Sequence, residues 1–169
     1  MDENTSRDTK VRQKAACDEV LRYCQNKVDC RRVQVLAFFN ETFDPTNCNR
    51  GCDTCLTRGN FDYQEEDVTE DAKTMIRIME AYTMKNMITL TNLVECYRGV
   101  AGNTVKRLSD NRYFGEGRDW LKEEAERLSI ALKLQGGITE FHQSSGAGWS
   151  NSYILVRPFI ANSTICAPC

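Results

Sequence analysis

Four thiols are spaced so that they could converge. Cys30 precedes seventeen intervening residues, after which Cys48, Cys52 and Cys55 fall within a span of eight. Cys52-x2-Cys55 is a turn that aims two sulfurs at one point, Cys48 lies just before it across Gly51, and Cys30 can arrive from a preceding helix. Together they form a tetrahedral thiolate set of the kind that takes zinc. A redox Cys-x-x-Cys and plain buried cysteines are the other readings of the same residues. Four thiolates on one divalent ion leave a net charge of about minus two, and Arg31, Arg32 and Arg50 are near enough in sequence to offset it. With every ligand position filled by protein, such a metal would hold a fold and leave no place for a substrate.

The composition bounds the rest. The chain has 169 residues, 41% of them hydrophobic, which suffices for one domain of ordinary size or two small ones. No apolar run approaches the roughly 18 residues of a membrane span, and MDENTSRDTKVRQKAA carries no apolar segment behind its charges. A soluble protein from a reducing compartment is the expectation. Nine cysteines, an odd number, also argue against complete disulfide pairing.

Helices must deliver the thiols. Val20, Leu21, Cys24 and Val28 recur at helical spacing, and beyond Lys27-Val28-Asp29 a second apolar set, Val33, Leu36 and Phe38 or Phe39, predicts another short helix. Residues 1–59 are thus expected to form a helical hairpin around a metal-bound loop, with a turn at Asp44-Pro45. Residues 60–71 carry six acidic side chains and no basic one, and read as a solvated linker. The formal charge is plus one over residues 1–59, minus six over the linker and plus three over 72–169, so the overall minus two hides a mildly basic second half.

That second half, residues 72–160, reads as a winged helix followed by a tail at 161–169. Thr69 is expected to cap a helix with the apolar stripe Ala72, Met75, Ile76, Met79 and Tyr82. A short strand is expected at Ile88-Thr89-Leu90, then a helix capped by Thr91 with Leu93, Val94 and Tyr97 on one side and Gly99 as its stop. Val105 to Leu108 reads as another short helix. A longer one runs from Asp119 to Gln135, with Leu121, Ala125, Leu128 and Leu132 inward and Gly136-Gly137 at its end. Strands at Ile138–His142 and Tyr153–Val156 then flank a glycine-bearing tip and predict a β-hairpin. The fold class expected is α+β, mostly helical.

Between Arg98 and Arg118 stand five basic residues, Arg98, Lys106, Arg107, Arg112 and Arg118, against Asp110 and Glu116. Four glycines among them let backbone amides approach closely, so the stretch reads as a phosphate-binding surface or as a solvated charged face. His142, the sole histidine, has no carboxylate or serine constellation around it, and no catalytic residue is assigned. Cys17, Cys24 and Cys96 read as small hydrophobes on helical faces. Cys166 and Cys169 make a terminal Cys-x-x-Cys without a second pair to complete a metal site.

Two stretches resemble one family. YCQNKVDCRRVQVLAFFNETFDPTNCNRGCDTC is similar to the zinc-binding element that follows the motor of RecQ helicases, especially fungal members of the Bloom-syndrome type. CYRGVAGNTVKRLSDNRYFGEGRDWLKEEAERL resembles the winged-helix part of the same RecQ C-terminal (RQC) region. The resemblance implies Cys30, Cys48, Cys52 and Cys55 as ligands of a structural Zn2+. It implies DNA contacts from Arg98, Asn103, Thr104, Lys106, Arg107, Arg112, Gly117 and Arg118, through a helix N-terminus and the Gly115-Glu116-Gly117-Arg118 loop. It also implies a strand-separating wing with Trp149 near its tip and His142 and Phe141 behind. Where many relatives carry Ser and Lys after the Arg-Gly pair, this chain has Val100 and Ala101, which removes a hydroxyl and a charge.

No G-x-x-x-x-G-K-[ST] phosphate loop occurs, so ATP and Mg2+ would belong to a motor outside these residues. The expectation is a nuclear, non-enzymatic region of an ATP-dependent 3′-to-5′ DNA helicase. It would bind duplex or forked DNA without sequence preference and have the rest of the helicase chain as its partner and no membrane contact. No basic localisation cluster is visible in the residues themselves. The competing reading is a protein-interaction module that docks a partner of the helicase.

Overall fold

The computed structural model describes residues 6–58, 65–82, 88–100, 109–144, 150–156 and 166–168. Contacts divide the chain into two compact units, Met1–Gln64 and Glu65–Ala167.

In the first unit, helix α1 (Arg7–Gln25) opens on Ser6, whose side chain accepts from the Thr9 amide. Asn26 then turns the chain. Its Oδ1 accepts from the amides of Val28 and Asp29 at 3.1 and 3.0 Å, a side-chain turn that satisfies two donors of the connecting segment. Helix α2 (Arg31–Phe38) begins at Cys30, a 3-10 turn (Pro45–Cys48) carries Cys48, and helix α3 (Asp53–Thr57) begins at Cys52. Asp44 caps the 3-10 turn by accepting from the amide and hydroxyl of Thr46, which holds its carboxyl below the usual range. The buried side chains of this unit are Cys30, Cys48 and Thr54, so its interior among the described residues is the thiol cluster. Cys17 and Cys24, read as packed hydrophobes, are instead exposed, because α1 buries no residue.

The second unit has an ordinary apolar core. Strand β1 (Glu65–Asp67) is followed by α4 (Thr69–Ala81), α5 (Leu90–Arg98), α6 (Lys122–Leu134), β2 (Ile138–Ser144), β3 (Ser150–Val156) and β4 (Cys166–Pro168). Ala72, Met75, Ile78 and Met79 from α4 meet Leu93, Val94, Cys96 and Tyr97 from α5 and Ala125, Leu128 and Leu132 from α6. Ile138 and Ile154 from the antiparallel β2–β3 hairpin close the cluster. A salt bridge from Lys133 to Glu140, both mostly buried, joins α6 to β2. Burial pushes the Cys96 thiol up to about 11, as befits a small hydrophobe.

Several boundaries differ from the expectation, each for a local reason. Within the stretch 60–71 expected as a linker, Glu65–Asp67 pair with β4 and Thr69 is already helical, the Asp67 carboxylate accepting its amide at 2.9 Å. The strand expected at Ile88-Thr89-Leu90 is a single bridge, Ile88 to Ile154, since Thr89 rather than Thr91 caps α5 by accepting from the Asn92 amide. Leu121 precedes α6 and is 60% exposed rather than inward. The hairpin strands extend past His142 and begin before Tyr153. The helix expected at Val105 to Leu108 lies outside the described residues.

Candidate metal centre and nucleic-acid interface

Three short elements bring the thiols together. Cys30 sits at the start of α2, Cys48 at the end of the 3-10 turn and Cys52 at the start of α3, one turn before Cys55. Asn49 and Arg50 between them adopt left-handed backbone, with φ of 48° and 57°. Gly51 follows because a Cβ there would lie 2.9 Å from the Cys48 carbonyl and 3.1 Å from the Arg32 guanidinium. All four Sγ atoms fall within 4.8 Å of one another, and those of Cys30 and Cys52 are 3.9 Å apart. Zinc–sulfur bonds of about 2.3 Å in a tetrahedron place sulfurs about 3.8 Å apart, so the cluster has the size of a four-thiolate zinc site. It is a structural zinc centre, with all four positions supplied by protein.

The charges around it are divided. The Thr54 hydroxyl, helped by the Cys55 and Arg31 amides and opposed by burial, draws the Cys52 thiol down to about 5. Burial and the neighbouring thiols push Cys55 up to about 12. Thiols this close resist shared ionisation until a cation joins them, and a divalent metal removes that conflict. Arg31, expected to offset thiolate charge, instead donates to Asp53 at 3.1 Å and to the Tyr23 carbonyl and lies over the Tyr23 ring, tying α1 to α3. Arg32 lies against Gly51 as noted, and Arg50 is exposed. Sequence reasoning missed Arg58, whose terminal nitrogen donates to the Val28 carbonyl at 2.6 Å.

In the second unit, the end of α5 meets the turn-rich segment before α6. Gly99, at φ 71°, ends the helix and touches Gly115, at φ 77°: a Cβ on Gly99 would lie 2.9 Å from the Gly115 Cα. The Gly115 amide donates to the Cys96 carbonyl at 3.0 Å and the Gly117 amide to the Tyr97 carbonyl at 2.8 Å. Arg98 and Arg118 thereby line one shallow depression with Gly99, Phe114 and Gly115. Arg98 Nε donates to the Trp120 carbonyl at 2.9 Å and Arg118 Nε to the Gly115 carbonyl at 3.1 Å, so each guanidinium fork is oriented. Gly117, expected at the DNA surface, also has a packing role. It is buried, a Cβ there would fall 2.0 Å from the Tyr97 ring, and its amide is committed, so it seats the loop.

Tyr97 anchors this segment from below. Its hydroxyl donates to Asp71 on α4, and burial, then that carboxylate, push its ionisation well above the usual range. Its ring meets Trp120 edge-on at 5.9 Å. Arg112 is exposed and stacks over Tyr113. Asn103, Thr104, Lys106 and Arg107 lie outside the described residues, as does Trp149. His142 is exposed on β2 opposite Ser152, and Phe141 pairs with Tyr153 across the hairpin at 5.6 Å on the face away from Ile138 and Ile154.

Comparison with known proteins agrees with both halves. Residues 1–56 match the RecQ zinc-binding family and residues 62–157 match the RQC domain. The chain is 30% identical over 93% of its length to the ATP-dependent helicase SGS1 of Saccharomyces cerevisiae, of which it covers 11%. It is 32% identical over 94% of its length to the ATP-dependent DNA helicase hus2/rqh1 of Schizosaccharomyces pombe, covering 12% of that protein. Over 72% of its length it is 29% identical to the RecQ-like DNA helicase BLM of Xenopus laevis, covering 10%. The chain thus spans about a ninth of the length of the curated relatives it matches.

Proposed function

The chain belongs to the RQC family of RecQ helicases, and on that premise we propose that it is the DNA-binding region of an ATP-dependent 3′-to-5′ DNA helicase working in the nucleus in repair and recombination. Its role is to grip duplex or forked DNA through the phosphate backbone, while ATP hydrolysis belongs to a motor outside these residues. The observation that carries the reading is the joint placement of Arg98 and Arg118 in one depression at the Gly99–Gly115 contact. Two oriented, always-charged forks beside glycine backbone suit a phosphate, and contacts of this kind position a protein without reading bases. In this reading Asn103, Thr104, Lys106, Arg107, Arg112 and Gly117 also contact the DNA.

The hairpin serves as the wedge. Trp149, in the connection between β2 and β3, stacks on the terminal base pair where strands part, a contact worth about 1–3 kcal/mol per base. Fluorescence anisotropy against a labelled fork, a blunt duplex and a single strand across a salt series tests both parts. With about four phosphates neutralised, the slope of log affinity on log salt should be near minus 3.6. Trp149→Ala should weaken binding to the fork and to the blunt duplex, both of which present a terminal base pair. Salt-independent or undetectable binding to all three would favour the second reading, a partner-docking module, which the exposed Phe38–Phe39 pair in the first unit supports.

A further inference from the structure

Thr54 lies between the ligands Cys52 and Cys55 and is 3% exposed, yet it contributes a polar side chain to an interior made of sulfur. Its Oγ1 is 2.9 Å from the Asp29 carbonyl and 3.3 Å from Cys52 Sγ. Asp29 immediately precedes the ligand Cys30, so one hydroxyl touches both ends of the site. We propose that Thr54 is a positioning residue of the zinc centre, its hydroxyl bridging the Cys52 thiolate and the carbonyl that leads into Cys30.

The hydroxyl has a single hydrogen and two acceptors within reach. The Asp29 carbonyl also receives Gln34 Nε2 at 3.0 Å, so it stays satisfied when the hydrogen turns toward sulfur. Metal binding leaves negative charge on Cys52 and draws the hydrogen that way; an oxygen lone pair facing that thiolate would repel it. Cys52 is half-buried, whereas Cys30 and Cys48 are buried, so it is among the ligands more open to chelators and acid. Of the two amides that also serve its sulfur, Cys55 lies at 3.5 Å, a longer contact, and Arg31 contributes less. Thr54 therefore supplies the closer hydrogen bond to an accessible ligand. Such outer partners commonly change metal affinity by about 10- to 100-fold when removed. The inference rests on the zinc centre alone and stands whether or not the second unit binds DNA.

The test uses the whole zinc-loaded chain and its cobalt-substituted form, with Thr54→Val, which removes the hydroxyl at nearly constant volume, and Thr54→Ser, which keeps it. Competition with a coloured chelator should show zinc held about 10- to 100-fold more weakly by the Val variant and normally by the Ser variant. In the cobalt form, the thiolate-to-metal charge-transfer band should move to lower energy in Val and stay in place in Ser, because a thiolate without its hydrogen bond is more electron-rich. A Val variant that holds zinc as the wild type does, a Ser variant as weak as Val, or an unmoved band alongside weakened zinc would each overturn the proposal. Should the Val variant fail to fold, Thr54→Ala against Thr54→Ser, which differ by the oxygen alone, decides by the same band.

Discussion

At the scale of single residues, glycine and arginine divide the work of the basic segment. Gly117→Ala would drive a methyl into the Tyr97 ring, which is 1% exposed and cannot swing aside. Overpacking of this kind costs about 1–3 kcal/mol, so thermal denaturation should show the second unit melting at lower temperature. Arg98→Ala and Arg118→Ala should act differently, leaving the melt nearly unchanged. Each should weaken DNA binding and reduce the salt slope by about 0.9 in the anisotropy series, the share of one phosphate contact. Both arginines were legible in the sequence as charges near glycines. That Gly117 packs under Tyr97 while Gly99 and Gly115 touch each other was not, because a glycine's purpose depends on what approaches it.

At the scale of elements, the start of α4 shows how a cap sets a boundary. Asp67 is exposed, and hydrogen bonds from the hydroxyl and amide of Thr69 hold its carboxyl below the usual range. A depressed folded-state pKa stabilises the fold above about pH 4, the ordinary carboxylate value, and that contribution is lost as pH falls further through the folded value. Asp67→Asn should therefore flatten the acid limb of the second unit's stability below about pH 4 while changing little at pH 7, as followed by circular dichroism across a pH series. The same element explains a misread boundary. Thr69, Thr89 and Thr91 are all capping types, and sequence alone does not say which hydroxyl or carboxylate faces a free amide. The apolar spacing of α4, α5 and α6 was legible because three buried stripes must meet. Ile78 was missed, lying beside the expected stripe of α4 and brought inward by packing.

At the scale of the whole molecule, the two units depend on different forces. The first buries thiols and one hydroxyl among its described residues, and zinc supplies on the order of 10 kcal/mol to such a fold; the second has an apolar core from three helices and a hairpin. Removing zinc with a chelator should abolish one thermal transition and leave the other in place, and Cys55→Ser should do the same without chelator; calorimetry distinguishes the two transitions. Loss of both would mean that the second unit does not stand on its own core. What the sequence by itself determined is the metal chemistry, the helical stripes and the hairpin, because thiol spacing and apolar periodicity are local properties of a chain. Only the tertiary structure decided that α1 buries nothing, that the Arg31 guanidinium goes to Asp53 while its amide serves Cys52, and that Arg98 and Arg118 share one depression. Each of those depends on which distant backbone arrives alongside, and a contact between residues far apart in the chain leaves no period in the sequence to read.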